Sequence, residues 1–337
     1  MSKLPDAAYT GNSSKGHPYE GDLGKAVDFD LYESSSPIVG SDNSPEIFGP
    51  YGYGARNLLN HSSIERGDRV LDLGSRTGIS TLEIFRRQSD ITILGINQSE
   101  GMDFLAKYKF SQNNGQLVSE IDNEQLLRYW RDFRTESKPY GNNVEFLMGD
   151  FEKIDLQHES FDSAVASQFM HWSADLSKPF TQLAKFLKQM GKVAWNSSSH
   201  WYNDSKFPSA EFGFRYNDFM SYVLDSVSSG GGIEFKDLFS LSKPEHNIES
   251  IKAITSEQGF DTEQEGIYLM QVDFIQFVSR HVPAFVRSLI VSTKIDDQEL
   301  ESRVNESIKK AILDPKTLGD TRHRYEIHPV FVSVKKN

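Results

Sequence analysis

The chain has 337 residues, of which 37% are hydrophobic and 12% aromatic, and its formal net charge is −12. This length and apolar fraction predict a globular protein with one large or two modest domains. The acidic balance disfavours a nucleic-acid partner, because such binding depends on neutralising phosphates. The absence of cysteine excludes disulfides and thiolate metal sites and fits a reducing, cytoplasmic compartment. No apolar run approaches the roughly 18 residues of a membrane span. We therefore expect a small-molecule partner, no metal, and a monomer or homodimer.

One stretch near residue 70 organises the rest of the chain. Arg69–Leu73 is a short apolar run that predicts a buried parallel strand. Gly74 and Gly78 bracket a turn, and residues 80–88 predict a helix. A strand, a glycine turn and a helix in this order present backbone N–H groups at a helix N-terminus, which suits the polar end of a nucleotide-like ligand. The G-x-G-x-x-G dinucleotide fingerprint is absent, because three residues separate the two glycines.

Strands and helices alternate along most of the chain. Further strands are predicted at 91–97, 144–148, 161–167, 193–195, near 266–270 and at 325–334, with helices at 55–64 and 99–110. Leu176, Phe180, Leu183 and Leu187 predict one further helix, which Gly191 would end. This alternation is typical of an α/β fold with a doubly wound parallel sheet.

Two segments interrupt the strand–helix unit and define the predicted domain organisation. Residues 1–60 are expected to form an N-terminal arm and lid segment, and residues 61–198 the core. Residues 199–247 predict an inserted aromatic cap with a glycine joint at 230–232. Residues 248–337 would complete the core, with a helical lid at 274–312 that contains a capping box of Asp296 and Glu299. We expect the cap and this lid to cover the acceptor site together.

The ordered motifs over residues 65–334 resemble those of class I S-adenosylmethionine (SAM) methyltransferases that act on small molecules. Within that superfamily the chain is similar to trans-aconitate and juvenile-hormone-acid methyltransferases and to sterol and natural-product methyltransferases. The resemblance implies a Rossmann-like sheet of seven strands whose last strand is antiparallel. It also implies that the cofactor, SAM, lies across the carboxyl ends of the first strands.

The resemblance assigns roles to individual residues. Asp72, Gly74 and Gly78 would hold the methionine end of SAM, and Asn97 would bind the ribose. The full implied cofactor-binding set is Asp72, Gly74, Ser75, Arg76, Gly78, Asn97, Gln98, Met102, Asp150, Phe151 and Ser167. Arg76 stands where the family usually has glycine, so its guanidinium points outward, pairs with the methionine carboxylate, or obstructs the site. Asn97 stands where the family usually has an acidic residue, so we expect weaker hydrogen bonding to the ribose.

Residues after the fourth strand would contact the methyl acceptor. His171 is the candidate general base. The alternative is that its side chain only packs at the top of the sheet. Trp172, Trp201 and Tyr202 are candidate substrate-pocket residues, and the alternative is that they form the core of the cap. We predict methylation of a hydroxyl or carboxylate oxygen on a small, partly apolar metabolite. The alternative function is a SAM-fold protein without methyl transfer, acting as a cyclase, a lyase or a binding partner.

Overall fold

The structure is a computed structural model. It describes residues 26, 30, 33, 49–110, 142–170, 173, 175–197, 210–235, 247–273, 286, 290–313 and 323–336. The strands in these residues are β1 (Arg69–Leu73), β2 (Thr92–Asn97), β3 (Asn143–Met148), β4 (Phe161–Ala166), β5 (Leu187–Asn196), β6 (Ile233–Phe235), β7 (Phe260–Asp273), β8 (Ile290–Thr293) and β9 (His323–Lys335). The helices are α1 (Pro50–Leu59), α2 (Ile79–Arg87), α3 (Glu100–Phe110), α4 (Ser177–Phe186), α5 (Ala210–Ser228), α6 (Ile248–Glu257) and α7 (Asp297–Leu313).

Seven strands form one sheet in the order β3-β2-β1-β4-β5-β9-β7. The first five are parallel to one another, and β9 runs antiparallel to both β5 and β7. The predicted seven-stranded, doubly wound sheet with an antiparallel last strand is therefore confirmed. The strand order reverses between β1 and β4, which places the carboxyl end of β1 at a topological switch point. Ligands of open α/β sheets bind at such points.

The central strand β1 is buried from both faces of the sheet. Val70, Leu71 and Leu73 are each 0% exposed, and they belong to two different hydrophobic clusters. Val70 packs with α1 and α2, whereas Leu71 and Leu73 pack in the cluster that includes α4. Helices on both faces bury a parallel sheet completely, which explains why most residues of this strand are apolar. Within the described residues, no helix is long and apolar enough to cross a bilayer.

The boundary between α4 and β5 differs from the prediction. The helix ends at Phe186, and Leu187 already belongs to the strand because it pairs with Phe161 of β4. Gly191 therefore lies inside β5 instead of ending the helix. The register between β4 and β5 shifts from Phe161–Leu187 to Ser163–Lys192, so the first part of the strand is irregular. Pairing with a strand distant in sequence overrides the helical spacing of the leucines.

The predicted helix over 274–312 is wrong at its centre. Ile290–Thr293 forms β8 and pairs antiparallel with β6, and α7 begins only at Asp297. The Glu299 N–H donates to the Asp296 carboxylate at 2.8 Å, but the Glu299 carboxylate pairs with Arg303, so only half of the predicted capping box forms. The helix predicted over 55–64 also starts earlier, at Pro50, a residue suited to the first helical position.

A third hydrophobic cluster joins the two interrupting segments. Its members come mainly from α5 and α7: Phe219, Met220, Val223, Leu224, Val227, Leu300, Val304, Ile308 and Ala311. Ser307 on α7 also donates to Ser226 on α5 at 3.0 Å. The two segments therefore share one core. That they cover the acceptor site stays a prediction.

Candidate functional site

The loop between β1 and α2 is tied to the end of the neighbouring strand β2. The backbone N–H groups of Gly74 and Ser75 both donate to the Ile96 carbonyl, at 3.0 and 3.2 Å, and the Gly78 N–H donates to the Ser75 carbonyl at 2.8 Å. Gly74 and Gly78 have φ angles of +68° and +86°, a region that favours glycine. The predicted glycine turn therefore stands at the carboxyl ends of two adjacent parallel strands.

The buried carboxylate of Asp72 holds the first turn of α2 against β1. It accepts hydrogen bonds from Thr81 Oγ1 at 2.6 Å and from Ser80 Oγ at 2.9 Å. Burial raises the pKa of Asp72 to about 6, and the hydrogen bonds from Thr81 and Ser80 oppose that shift. The structure thus shows Asp72 positioning the helix that follows the loop.

A small cavity lies over this loop. Its volume is about 10 Å³, which is the size of one water molecule. It is lined by Tyr51, Gly74, Ser75, Arg76, Ile79, Ser80 and Ser167. The Ser75 hydroxyl is buried and has no hydrogen-bond partner in the part of the chain that the structure describes.

Arg76 forms one wall of the cavity. Its guanidinium carbon lies 4.5 Å from the centre of the Tyr51 ring, and its Nη2 donates to the Gln168 carbonyl at 3.3 Å. Its own carbonyl accepts a hydrogen bond from Asn97 Nδ2 at 2.9 Å. Arg76 is thus folded over the loop, so the outward orientation considered from the sequence is not the one observed. A guanidinium in this position borders the cavity with positive charge, which suits a carboxylate ligand.

Two acidic residues from the N-terminal part of the chain contact α1 and the loop between β1 and α2. The Glu33 carboxylate accepts the N–H groups of Tyr51 and Gly52, at 2.9 and 3.2 Å, and so caps the start of α1. The Asp30 carboxylate accepts the Thr77 hydroxyl at 2.7 Å and pairs with Lys109 at 2.9 Å. Sequence reasoning missed these contacts, because no sequence pattern links acids near residue 30 to partners 18 to 79 positions away.

Burial dominates the electrostatics of these groups. It raises the pKa of Glu33 to about 7, against the two backbone hydrogen bonds that favour the ionised form. The native state therefore binds this proton more tightly than the unfolded chain does. Ionisation of Glu33 as the pH rises from about 4.5 to about 7 consequently reduces the free energy of unfolding. Burial also lowers the pKa of Lys109, and the Asp30 carboxylate opposes that shift.

The residues predicted on the adenine side come together at the ends of β2 and β3. Gln98 Nε2 donates to Asp150 Oδ1 at 3.0 Å, and Lys153 pairs with Asp150 Oδ2 at 2.8 Å. Phe151 is 0% exposed and packs edge-to-face with Phe169, with ring centroids 6.2 Å apart. Met102, a residue of α3, is buried in the hydrophobic core. His171, Trp172, Trp201 and Tyr202 lie outside the described residues.

Comparison with known proteins assigns this region to a family. A family model described as a methyltransferase domain matches residues 71–195, which run from β1 to the end of β5. This segment is a class I SAM-dependent methyltransferase domain. The match includes the loop, the cavity residues after β1 and the end of β4, and it supports methyl transfer over the alternative of a SAM-fold protein without it. The methyl donor of the domain is S-adenosyl-L-methionine.

Two curated relatives match parts of this chain. Malonyl-[acyl-carrier protein] O-methyltransferase of Nitrosospira multiformis is 24% identical over 157 residues, which are 46% of this chain and 46% of the relative. Sterol 24-C-methyltransferase of Saccharomyces cerevisiae is 25% identical over 137 residues, 41% of this chain and 29% of the relative. The chain thus spans less than half the length of either relative.

Among solved structures, the YcgJ protein of Bacillus subtilis has a similar fold. The TM-score is 0.52 at 13% sequence identity, and the match covers 85% of this chain and 99% of that protein. At this identity the likeness shows the fold alone.

The residues at the β1–α2 loop fit the methionine end of SAM chemically. The buried Ser75 hydroxyl has unused hydrogen-bonding capacity within the described residues, and Arg76 offers a cation for a carboxylate. Gly74 has no room for a side chain, because a Cβ there would lie 2.5 Å from Phe169 Cδ2. The loop is therefore closely packed and polar, and Arg76 and Tyr51 are among the residues that line its cavity.

Proposed function

We propose that this methyltransferase transfers the methyl group of SAM to a hydroxyl or carboxylate oxygen of a small, partly apolar molecule. The observation that carries the proposal is the buried cradle of Gly74, Ser75 and Gly78 at the switch point of the sheet, bordered by the Arg76 guanidinium. The net charge of −12 favours a small acceptor over a nucleic acid. The O-methyltransferase named among the relatives is consistent with an oxygen acceptor.

The proposed cofactor contacts follow the sheet from β1 to β3. Ser75 would bind the methionine end with the glycine turn, and Arg76 would pair with its carboxylate. Asn97 would contact the ribose, while Gln98 and Asp150, which are already hydrogen-bonded, would border the adenine. Bound SAM supplies an electrophilic methyl group on a sulfonium. The contribution of the chain is to orient the acceptor oxygen and exclude water.

The nature of the acceptor decides whether a base is needed. A carboxylate is already ionised at neutral pH and needs no base, whereas a hydroxyl must lose its proton. We propose His171 as that base if the acceptor is a hydroxyl. Trp172, Trp201 and Tyr202 are proposed to line the apolar part of the acceptor pocket.

Methyl transfer can be followed with SAM that carries a tritiated methyl group. We expect label to move into small organic molecules from a pool of acids and alcohols, with a mass gain of one CH₂ in the product. His171→Ala should lower turnover by about 100-fold for a hydroxyl acceptor and leave it nearly unchanged for a carboxylate. Label found only in protein or nucleic acid, or a product formed without any methyl gain, would contradict the proposal.

A further inference from the structure

Gln168 is held in an unusual backbone conformation just past the end of β4. Its φ is +51°, a left-handed value that non-glycine residues rarely adopt. Its N–H donates to Asn196 Oδ1 at 2.7 Å, and its carbonyl accepts from Arg76 Nη2 at 3.3 Å. Hydrogen bonds from two different elements therefore enforce this conformation. Backbone strain of this kind concentrates at ligand and active sites.

The side chain of Gln168 is buried without using its donor. The residue is 5% exposed, and its amide nitrogen Nε2 has no hydrogen-bond partner in the described part of the chain. A buried amide N–H₂ without a partner is unfavourable unless something else accepts its hydrogens. The neighbouring residue Ser167 lines the cavity at the β1–α2 loop, so the amide belongs to the same edge of the sheet. These observations indicate a ligand that brings an acceptor oxygen.

A second unused donor lies at the end of the adjacent strand. The Ser197 hydroxyl is 0% exposed and also has no partner among the described residues. Its backbone is fixed, because the Ser197 carbonyl contacts His328 Nδ1 at 3.2 Å, and the His328 ring stacks on Tyr268 with centroids 4.9 Å apart. Asn196, the residue before it, is the partner of the Gln168 N–H. The two unused donors are thus linked to one buried polar network at the ends of β4 and β5.

We propose that the Gln168 amide and the Ser197 hydroxyl bind a carboxylate of the methyl acceptor and so select organic acids over alcohols and amines. This inference rests on the proposed function, in which the acceptor lies at this edge of the sheet. A carboxylate offers two oxygens and only accepts hydrogen bonds, which matches two donors. Its charge strengthens such hydrogen bonds. An ammonium group only donates hydrogen bonds, so it would face two donors and be disfavoured.

The selectivity can be measured with three eight-carbon probes: octanoate, octanol and octylamine. Each is titrated by calorimetry into enzyme saturated with S-adenosylhomocysteine (SAH), the demethylated form of the cofactor. We expect octanoate to bind at least about 10-fold more tightly than octanol, which corresponds to about 1.4 kcal/mol. Gln168→Met, which keeps the length of the side chain without its donors, should abolish this preference. Ser197→Ala should reduce it.

Gln168→Glu gives the sharpest comparison, because a carboxylate at this position should repel octanoate and favour octylamine.

Gln182→Met is the matched control, since Gln182 is a half-buried glutamine whose Nε2 donates to the Glu152 carbonyl away from the site. It should leave octanoate binding unchanged, and SAH affinity should stay within about threefold of the wild-type value in every variant. Octanoate binding that is absent, no tighter than that of octanol, or unchanged in both Gln168 variants would overturn the inference. Failure of the wild-type chain to bind SAH would contradict the proposed function and this inference with it.

Discussion

Gly74→Ala is expected to weaken the binding of SAH by about 100-fold, equivalent to about 2.7 kcal/mol. The φ of Gly74 is +68°, and holding a non-glycine residue there costs about 1–2 kcal/mol. The added Cβ would also lie 2.5 Å from Phe169 Cδ2, so either the ring or the loop must move. The Phe169 ring is the nearest neighbour of a side chain at this position.

Gly67→Ala provides the matched control for Gly74→Ala. Gly67 has a φ of +90° in the turn before β1, and a Cβ there would meet nothing within 4 Å. This variant should lose about 1 kcal/mol of stability and bind SAH normally. Adding Phe169→Ala to Gly74→Ala should recover part of the lost affinity by removing the obstructing ring. Calorimetry of folded Gly74→Ala that gives wild-type affinity would show that the loop does not hold the cofactor.

Lys109→Met is expected to reduce the free energy of unfolding by about 3–5 kcal/mol, because it leaves the carboxylate of Asp30 buried without its cation. Lys109 and Asp30 are each 0% exposed, and their charged atoms lie 2.9 Å apart. The effect should extend to the loop, since Asp30 also accepts the Thr77 hydroxyl at 2.7 Å. Urea denaturation measures the loss directly.

Two further variants separate buried charge from general damage to α3. Lys107→Met removes a lysine from the same helix that is 52% exposed and pairs with Asp103, and it should cost less than about 1 kcal/mol. Asp30→Asn combined with Lys109→Met removes both charges while keeping an acceptor for Thr77, and it should restore at least half of the lost stability. Equal losses in Lys107→Met and Lys109→Met would show that the buried pair has no special role.

Local patterns were sufficient to predict the core of the fold. Short stretches of sequence encode the apolar run of β1 and the glycines after it. Together with the alternation of strands and helices, they predict the parallel sheet and the glycine loop. The start of β5 was not predictable in this way. Leu187 continues the helical spacing of α4, and only its pairing with Phe161, distant in sequence, makes it a strand residue. The same holds for β8, whose partner β6 lies more than 50 residues earlier.

The site was predicted less completely than the fold. The glycine turn and the pairing partners Gln98 and Asp150 follow from motif positions, and the structure places them together at the ends of the strands. Tyr51, Asp30 and Lys109 reach the loop only through tertiary packing. In the sequence, Lys109 resembles an ordinary surface residue near the end of a helix, and its complete burial depends on a carboxylate from the N-terminal part of the chain. The unused buried donor of Gln168 is visible only in the structure.

The central claim is that SAM binds at the loop between β1 and α2, and binding of SAH to the wild-type chain tests it most directly. Calorimetry should show one saturable site per chain with a Kd in the range of about 1–100 µM, typical of enzyme ligands. Hydrogen exchange of the bound chain should slow in residues 72–78. No saturable binding up to about 1 mM SAH, or binding that leaves exchange in residues 72–78 unchanged, would contradict the claim.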